Sequence, residues 1–369
     1  MSAVGRIIVA AMVAALVGAS FVCAEEFVAE PAEAGTAKHS LRTVAEQRGL
    51  RVGAMILDAD WQTPRQQELV AREFNAATVG AYWTRTHPAR DRWDWQLTDA
   101  VVEFAVDNGL AVHLHPLLYP ADDKLPAWVK AAPASDAQAI LAEHVAHATG
   151  RYRGRCAAWD VVNEAVAPDG GALRDCWWLR AMGRDYIAKA FRLARSHDAD
   201  AELLYNDYGC ELSTRKQTRR WDTALGIVRE LHAEGLIDGF GWQLHVTADD
   251  VLGGEFVLAE RMRAIAALGL DNYVTELDVA IPDNSPASLA RQADAYARIA
   301  EIWLSHRGAG WLQTWGVSDR HSWLDPPGTP AGKRRRPLLF DERLQPKPAY
   351  EALLGTLLQS PGRQNSANP

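Results

Sequence analysis

Between about residues 50 and 358, short apolar runs alternate with longer stretches in which apolar positions recur at helical spacing. The short runs are bounded by turn residues and are too brief for helices, so they predict buried strands. They cover 52–57, 77–82, 111–118, 158–163, 202–206, 239–246, 272–279 and 311–317. The intervening pattern predicts helices over 64–74, 97–108, 136–149, 182–197, 214–234, 255–268, 288–306 and 347–358. Gly109, Gly150, Gly235 and Gly269 fall where helix C-caps belong. Eight strand–helix alternations predict an α/β fold, a single (β/α)8 TIM barrel.

A barrel of this kind carries its active site at the C-terminal ends of its strands. Polar residues gather at those ends here. His115 lies near the end of the third predicted strand, Asn163 and Glu164 close the fourth, and Asn206 and Asp207 close the fifth. Gln243 and His245 close the sixth, Glu276 and Asp278 the seventh, and Trp315 and Asp319 the eighth. Carboxylates at the ends of apolar strands are costly unless paired or used. Two of them facing one mouth, Glu164 and Glu276, match what glycosidic-bond cleavage requires: one acid, and one nucleophile or base. Retaining enzymes hold the pair about 5–5.5 Å apart and inverting enzymes about 6.5–9.5 Å apart, and spacing along the chain leaves both open.

The neighbours separate the two roles. Glu276 and Asp278 are two apart on one strand and so share a face. His245 on the adjacent strand is placed between them. A histidine held by Asp278 and bonded to Glu276 keeps Glu276 ionised and oriented, as suits a nucleophile. Glu164 lies near Val162 and Ala165. That less charged setting favours a proton donor to the leaving oxygen. Asn163 is placed to bond a sugar hydroxyl.

Composition narrows the class further. Of 369 residues, 48% are hydrophobic and 23% charged, ordinary for a globular protein. The formal net charge is −8 with no basic face, which argues against a nucleic-acid partner. Fourteen tryptophans supply flat apolar platforms suited to sugar rings, and the need of each indole N–H for a partner predicts that several line a cleft. Arg6 followed by the apolar stretch 7–22 and Val22-Cys23-Ala24 reads as a cleavable signal peptide over 1–24, and so as a secreted or periplasmic protein. Cys23 also permits a lipoprotein, against which stands the bulky Val22. The stretch is too short for a stable membrane span. Residues 25–45 read as a flexible lead-in, 46–358 as the catalytic barrel and 359–369 as a disordered tail. Cys156, Cys176 and Cys210 allow one disulfide, Cys176–Cys210 being the expected pair if one forms, or three buried thiols.

Taken with these residues, the chain resembles family 10 of the glycoside hydrolases, the xylanase family. Trp159-Asp160-Val161-Val162-Asn163-Glu164 is similar to the family's acid/base motif and Thr275-Glu276-Leu277-Asp278-Val279 to its nucleophile motif. The similarity extends to Leu204-Tyr205-Asn206-Asp207-Tyr208, Gly241-Trp242-Gln243-Leu244-His245, Trp315-Gly316-Val317-Ser318-Asp319 with Trp323, and Leu339-Phe340-Asp341 followed by Lys347-Pro348-Ala349-Tyr350. It implies a retaining double displacement on xylan or a xylan-like plant polysaccharide. Glu276 would attack the anomeric carbon, Glu164 would act as acid and then base, and Asn163, His245 and Asp278 would support them. His115, Tyr119, Asn206, Gln243, Trp315 and Trp323 would bind substrate. The resemblance implies no cofactor, no metal, and a monomer acting on a poly- or oligosaccharide.

Two stretches depart from the family pattern. Its Glu-Asn-x-x-Lys-Trp motif, which grips the sugar on the non-reducing side, is replaced by Gly80-Ala81-Tyr82-Trp83-Thr84-Arg85. Its Arg-Gly-His-x-Leu-x-Trp-His becomes His113-Leu114-His115-Pro116-Leu117-Leu118-Tyr119-Pro120. Trp83, Arg85, His87 and Tyr119 are therefore expected either to form a different sugar site or to cap the rim. These changes keep open another β-linked glycan, a xylo-oligosaccharide, or a barrel that binds carbohydrate without cleaving it. His113 and His115 with His245, Asp278 and Asp319 would suit a metal-dependent barrel hydrolase, but no lysine bridge is at hand. Lys333-Arg334-Arg335-Arg336 would serve either as a solvated loop or as a seat for an acidic sugar substituent. His144 and His147 are expected to be solvated on a helix.

Overall fold

The computed structural model describes residues 39–306 and 308–360. Nine strands follow in chain order: β1 (Arg51–Met55), β2 (Ala76–Gly80), β3 (Ala111–His115), β4 (Cys156–Asn163), β5 (Glu202–Asp207), β6 (Gly239–Trp242), β7 (His245–Thr247), β8 (Asp271–Ala280) and β9 (Ala309–Thr314). All pair in parallel, in the order β6-β5-β4-β3-β2-β1-β9-β8-β7, and β6 also pairs with β8. That last pairing closes an eight-stranded barrel whose sixth strand is broken into β6 and β7, the second piece pairing with β8 alone. The expected continuous strand over 239–246 is interrupted at Gln243-Leu244, where Leu244 adopts a left-handed φ of 56°.

The barrel interior is apolar at one end and polar at the other. Ala76, Ala158, Leu204, Tyr273 and Trp311 form a small cluster of their own. Two residues further along three of those strands stand Asp160, Asn206 and Gln313, all fully buried. Because strand side chains alternate between faces, these share the interior with the plug and stand on its C-terminal side. Tyr273 fits because Gly239 and Gly310 flank it: a Cβ on either would come within 2.4 and 2.6 Å of the ring.

Several boundaries differ from the sequence expectation. Pro116, which has no N–H, stops β3 at His115 rather than 118. The helix Ala137–Tyr152 runs through Gly150, and the positive-φ turn residue is Gly154 at 74°. The helix expected over 182–197 is two, Trp177–Met182 and Tyr186–His197, separated at Gly183 with φ 65°. A helix at Leu41–Gln47, closed by a reciprocal Ser40–Thr43 cap, falls inside the expected lead-in. It belongs to the barrel because Leu41, Val44 and Ala45 are fully buried. The final helix, Pro348–Gln359, reaches into the expected tail. The expected signal peptide and the tail beyond 360 lie outside the described residues. Cys156, Cys176 and Cys210 are buried free thiols, so the Cys176–Cys210 pair does not form. Among the described residues, no helix is long and apolar enough to cross a membrane.

His144 is not solvated, and His147 is only partly so. The ring of His144 is fully buried and stacks on Trp83 at 3.5 Å between centroids, and His147 stacks on Trp93 at 3.8 Å. His87 joins the same stack against Trp93 at 3.6 Å. Much of the tryptophan content thus serves packing rather than a cleft: Trp159, Trp178, Trp242 and Trp303 are among the largest fully buried side chains.

Candidate active site

Two breaks in regular backbone aim the candidate catalytic side chains. Glu164, the first residue past β4, has φ 58°, a region that costs a non-glycine residue about 1–3 kcal/mol. Its N–H bonds the carbonyl of Asn206 at 2.8 Å. Leu244 makes the second break, between Gln243 and His245, and its carbonyl accepts from Asp278 N–H at 3.3 Å. The result sends Gln243 toward β4 and His245 toward β8.

One hydrogen-bond chain joins the two glutamates. Gln243 Nε2 lies 3.2 Å from Glu164 Oε1 and 3.1 Å from Asn163 Oδ1. Asn206 Nδ2 donates to the same Asn163 oxygen at 3.0 Å and to Glu276 Oε1 at 2.7 Å. Thr275 Oγ1 in turn donates to Asn206 Oδ1 at 2.7 Å and fixes the amide's orientation. Asn206 is wholly buried, so it holds Glu276 rather than contacting substrate, as had been expected of it.

His245 stands between Asp278 (Nδ1–Oδ2 3.0 Å) and Glu276 (Nε2–Oε2 3.1 Å), as the strand parity predicts. Burial alone would lower the imidazole's proton affinity, but the two carboxylates outweigh it and push its pKa up to about 10. It is therefore an imidazolium at neutral pH, donating to both carboxylates. Trp323 Nε1 donates to Asp278 Oδ2 at 2.7 Å, which ties the half-exposed Trp323 ring to the same group.

On the other side of Glu276, His115 Nδ1 is 2.6 Å from Asp160 Oδ2 and 3.8 Å from Glu276 Oε1. His113 Nε2 approaches Asp160 Oδ1 at 3.1 Å, and its Nδ1 meets Gln313 Oε1 at 2.8 Å. Asp160 is fully buried, which works against its charge, yet the two histidines hold its pKa down at about 2. His115, Asp160 and Glu276 bring ligand-type atoms within 4.8 Å of one another. The short His115–Asp160 contact and the Asn206 and His245 bonds to Glu276 already occupy those groups.

The cleft above these residues has a volume of about 590 Å³. Tyr82, Thr84, His115, Tyr119, Asn163, Glu164, Gln243, His245, Glu276, Trp315 and Trp323 line it, with Lys124 and Tyr208. Trp315 presents its ring edge-on to His115 at 5.1 Å. Burial, followed by the nearby Glu164 carboxylate, raises the pKa of Tyr119, and burial followed by Glu276 does the same for Tyr82, so both phenols remain donors.

Other expected positions have structural work. Asp207 pairs with Arg220 at 2.8 Å and Asp319 with Lys347 at 2.8 Å, both away from the cleft. Trp83 and His87 belong to the buried aromatic stack, and Trp83 Nε1 bonds the Leu117 carbonyl. Arg85 is tied to Asp58 and the Gly80 carbonyl. Of the four residues offered as a different sugar site, Tyr119 alone lines the cleft.

Glu164 is not in the less charged setting expected of it. Arg174 bonds its carboxylate at 3.0 Å through Nη2 and its backbone carbonyl at 3.0 Å through Nε. The hairpin that brings Arg174 back is closed by the Val166–Leu173 bridge and by Arg174 N–H to the Ala165 carbonyl at 2.7 Å. Arg174, Asp160, Tyr82, Thr84, Lys124 and Tyr208 are site residues that sequence reasoning missed. Asp160 alone had a signal, an acid on an inward-facing position beside the His-x-His of β3.

A (β/α)8 barrel with two carboxylates at its mouth, one buried beneath histidine and amide donors and the other at the rim, is the arrangement of a glycoside hydrolase. The chain belongs to glycosyl hydrolase family 10, whose model matches residues 40–356, and it is an O-glycosyl hydrolase. It is 35% identical over 323 residues to endo-1,4-beta-xylanase B of Thermotoga neapolitana, covering 85% of this chain and 90% of that one. It is likewise 35% identical over 287 residues to endo-1,4-beta-xylanase A of Fusarium oxysporum f. sp. lycopersici, covering 74% and 84%. In structure it is similar to xylanase 10B of Thermotoga petrophila RKU-1 in complex with xylobiose, with a TM-score of 0.78, 32% identity, and coverage of 87% of this chain and 98% of that one.

Proposed function

We propose that this protein cleaves β-1,4-xylosidic bonds in xylan, or in a xylan-like plant polysaccharide, by a retaining double displacement. Glu276 is the nucleophile and Glu164 the acid/base. The observation that carries the assignment is the asymmetry between them. Glu276 is 3% exposed and receives Asn206 Nδ2 and His245 Nε2 on its two oxygens, so it is held in one orientation with both oxygens accepting. Glu164 lies at the rim, reached by Gln243 and Arg174. In the first step a Glu276 oxygen bonds the anomeric carbon while Glu164 gives its proton to the leaving oxygen. In the second, Glu164 takes a proton from water, which attacks the same carbon and releases Glu276. Arg174, bonded to the Glu164 carboxylate at 3.0 Å, holds that side chain in place through both steps. Asn163, Gln243 and Trp315 are placed to contact the sugar at the cleavage point.

The reducing-end configuration of the first-formed product, followed by NMR during hydrolysis of xylo-oligosaccharides, tests the mechanism, and an inverted first product would overturn it. Glu276→Ala should be inactive on every substrate. Glu164→Ala should still release the aryl group from an activated aryl xyloside while failing on xylan, because a good leaving group needs no acid. Loss of both activities in Glu164→Ala, with the fold intact, would remove its role as acid. We further read residues 1–24 as an export signal and the mature protein as a monomer. N-terminal sequencing of the exported chain and sedimentation equilibrium check these two points.

A further inference from the structure

The basic run 333–336 splits into unlike halves. Arg334 and Arg336 both pair with Glu342, at 3.2 and 3.6 Å. Arg335 is exposed, and its guanidinium has no ion-pair or hydrogen-bond partner among the described residues. Its backbone, by contrast, is fixed at both ends. Arg335 N–H donates to Asp325 Oδ1 at 2.7 Å, and its carbonyl accepts from Ile281 N–H at 2.9 Å. The next residue, Arg336, is held at φ 41° by Asp325 on its N–H at 3.0 Å and by Lys347 and Gln292 on its carbonyl, both at 2.7 Å. A non-glycine residue persists at such a φ only where its surroundings over-determine it, and such outliers cluster at ligand clamps. The fixed backbone at 335–336 thus carries, in Arg335, a cation without a partner among the described residues.

That cation lines a cavity of about 270 Å³, near the lower end of small-molecule sites at roughly 300 Å³. Arg291 lines it too, already paired with Asp249 at 2.5 Å, so Arg335 is the lining cation that has no partner among the described residues. Thr247 and Ser288 line it too, their hydroxyls donating to Asp250 at 2.6 Å and Asp283 at 2.7 Å, and Ile281 and Pro282 add an apolar wall. Its place relative to the reaction follows from strand register. His245 pairs with Asp278, and two residues on, Thr247 pairs with Ala280. Positions two apart on a strand share a face, so the cavity continues the face that holds Glu276, about 7 Å beyond Asp278 and about 13 Å beyond Glu276. Asp325, which seats Arg335, is two residues from Trp323, itself bonded to Asp278.

We propose that this cavity receives an anionic sugar substituent, a uronate branched from the polysaccharide, with Arg335 as its carboxylate partner. The proposal rests on xylan cleavage as read above. It makes Arg335 a specificity residue that touches a branch rather than the bond being broken.

The test compares a linear neutral xylo-oligosaccharide with the same backbone bearing one glucuronate, using wild type, Arg335→Gln and Arg335→Lys. The residue is exposed and its side chain makes no contact that folding uses. Arg335→Gln should lower kcat/KM on the acidic substrate roughly five-fold, the effect of one exposed charge pair, and leave the neutral substrate unchanged. Arg335→Lys should restore part of the loss, and 0.5 M salt (about 4 Å of screening length) should erase the wild-type preference. Free glucuronate should inhibit the neutral reaction only weakly if the branch must be presented on a backbone. Equal effects on both substrates, or none on the acidic one, would overturn the proposal. Failure of wild type to cleave the neutral substrate would instead count against the function itself.

Discussion

His245 permits a quantitative test of the support given to Glu276. Replacing it with Gln keeps the size and one donor but removes the positive charge between Glu276 and Asp278. A shift from 6.5 to about 10, at about 1.4 kcal/mol per unit, corresponds to an attraction of about 5 kcal/mol. That is a ceiling, because the ring is 20% exposed. Removing one partner from a buried pair costs about 3–5 kcal/mol by a separate route, so a loss near 3 kcal/mol is expected. The pH dependence carries the sharper prediction. A group whose folded pKa is raised contributes stability that is full below its unfolded value, here 6.5, and lost as the pH rises through the folded value, here about 10. Urea unfolding of wild type and His245→Gln at pH 6 and pH 10 should therefore show a gap that is wide at pH 6 and narrow at pH 10. Activity at pH 6 should fall roughly 10- to 150-fold, the equivalent of one charge-assisted hydrogen bond to Glu276. A stability gap that stays constant or widens toward pH 10 would refute the claim that His245 is charged between its two carboxylates.

Three further outcomes follow from contacts around the site. Gly241→Ala would place a Cβ 2.2 Å from Asn206 Oδ1; denaturant melts should show a loss of about 1–3 kcal/mol, and kinetics a fall in kcat with little change in KM as the 2.7 Å bond to Glu276 loosens. Lys347→Met would strand the buried Asp319, whose pKa burial already pushes to about 6 despite Lys347; the loss should be about 3–5 kcal/mol at pH 7.5 and smaller at pH 5, where the carboxyl is protonated. His144, buried against Trp83, has its pKa held well below the ordinary value by burial. The unfolded chain therefore takes up its proton first as the pH drops below 6.5, and stability falls with it. His144→Phe should flatten that part of the melting-temperature profile, and an unchanged slope between pH 6.5 and 4.5 would remove His144 as its source.

The fold was legible because the barrel repeats one simple unit, and each repeat states its own period: an apolar run, then apolar positions at helical spacing. Glu276, Asp278 and His245 were legible for a related reason. Strand parity and a parallel neighbour place them together whatever the loops do. Arg174 was not legible. Its contact with Glu164 depends on a loop hairpin ten residues long whose closure leaves no period in the sequence. His144 and His147 were misread because two histidines three apart look like a polar helix face. Only the tryptophans of another loop, Trp83 and Trp93, turn that face inward. Asn206 was placed at the right strand end but given the wrong task, since parity says which way a side chain faces and not how deep it lies.

The same division explains why the two halves of the cleft diverge so differently from the family pattern. The cleaving half is a closed set of bonds between strands: Glu164 to Gln243, Gln243 to Asn163, Asn163 to Asn206, Asn206 to Glu276 and Glu276 to His245. Changing one member leaves another buried polar group unsatisfied, at a cost of about 1–3 kcal/mol, so the set is held together by stability as well as by catalysis. Tyr82, Thr84 and Tyr119 lie beyond the ends of β2 and β3 and line the cleft from segments that carry none of those bonds. Arg85, beside them, is held by Asp58 and the Gly80 carbonyl, outside the catalytic chain. Substitution there changes the lining of the cleft and leaves that set of bonds in place. The departure from the Glu-Asn-x-x-Lys-Trp motif thus falls where the fold tolerates change, outside the bonds that join Glu164 to Glu276.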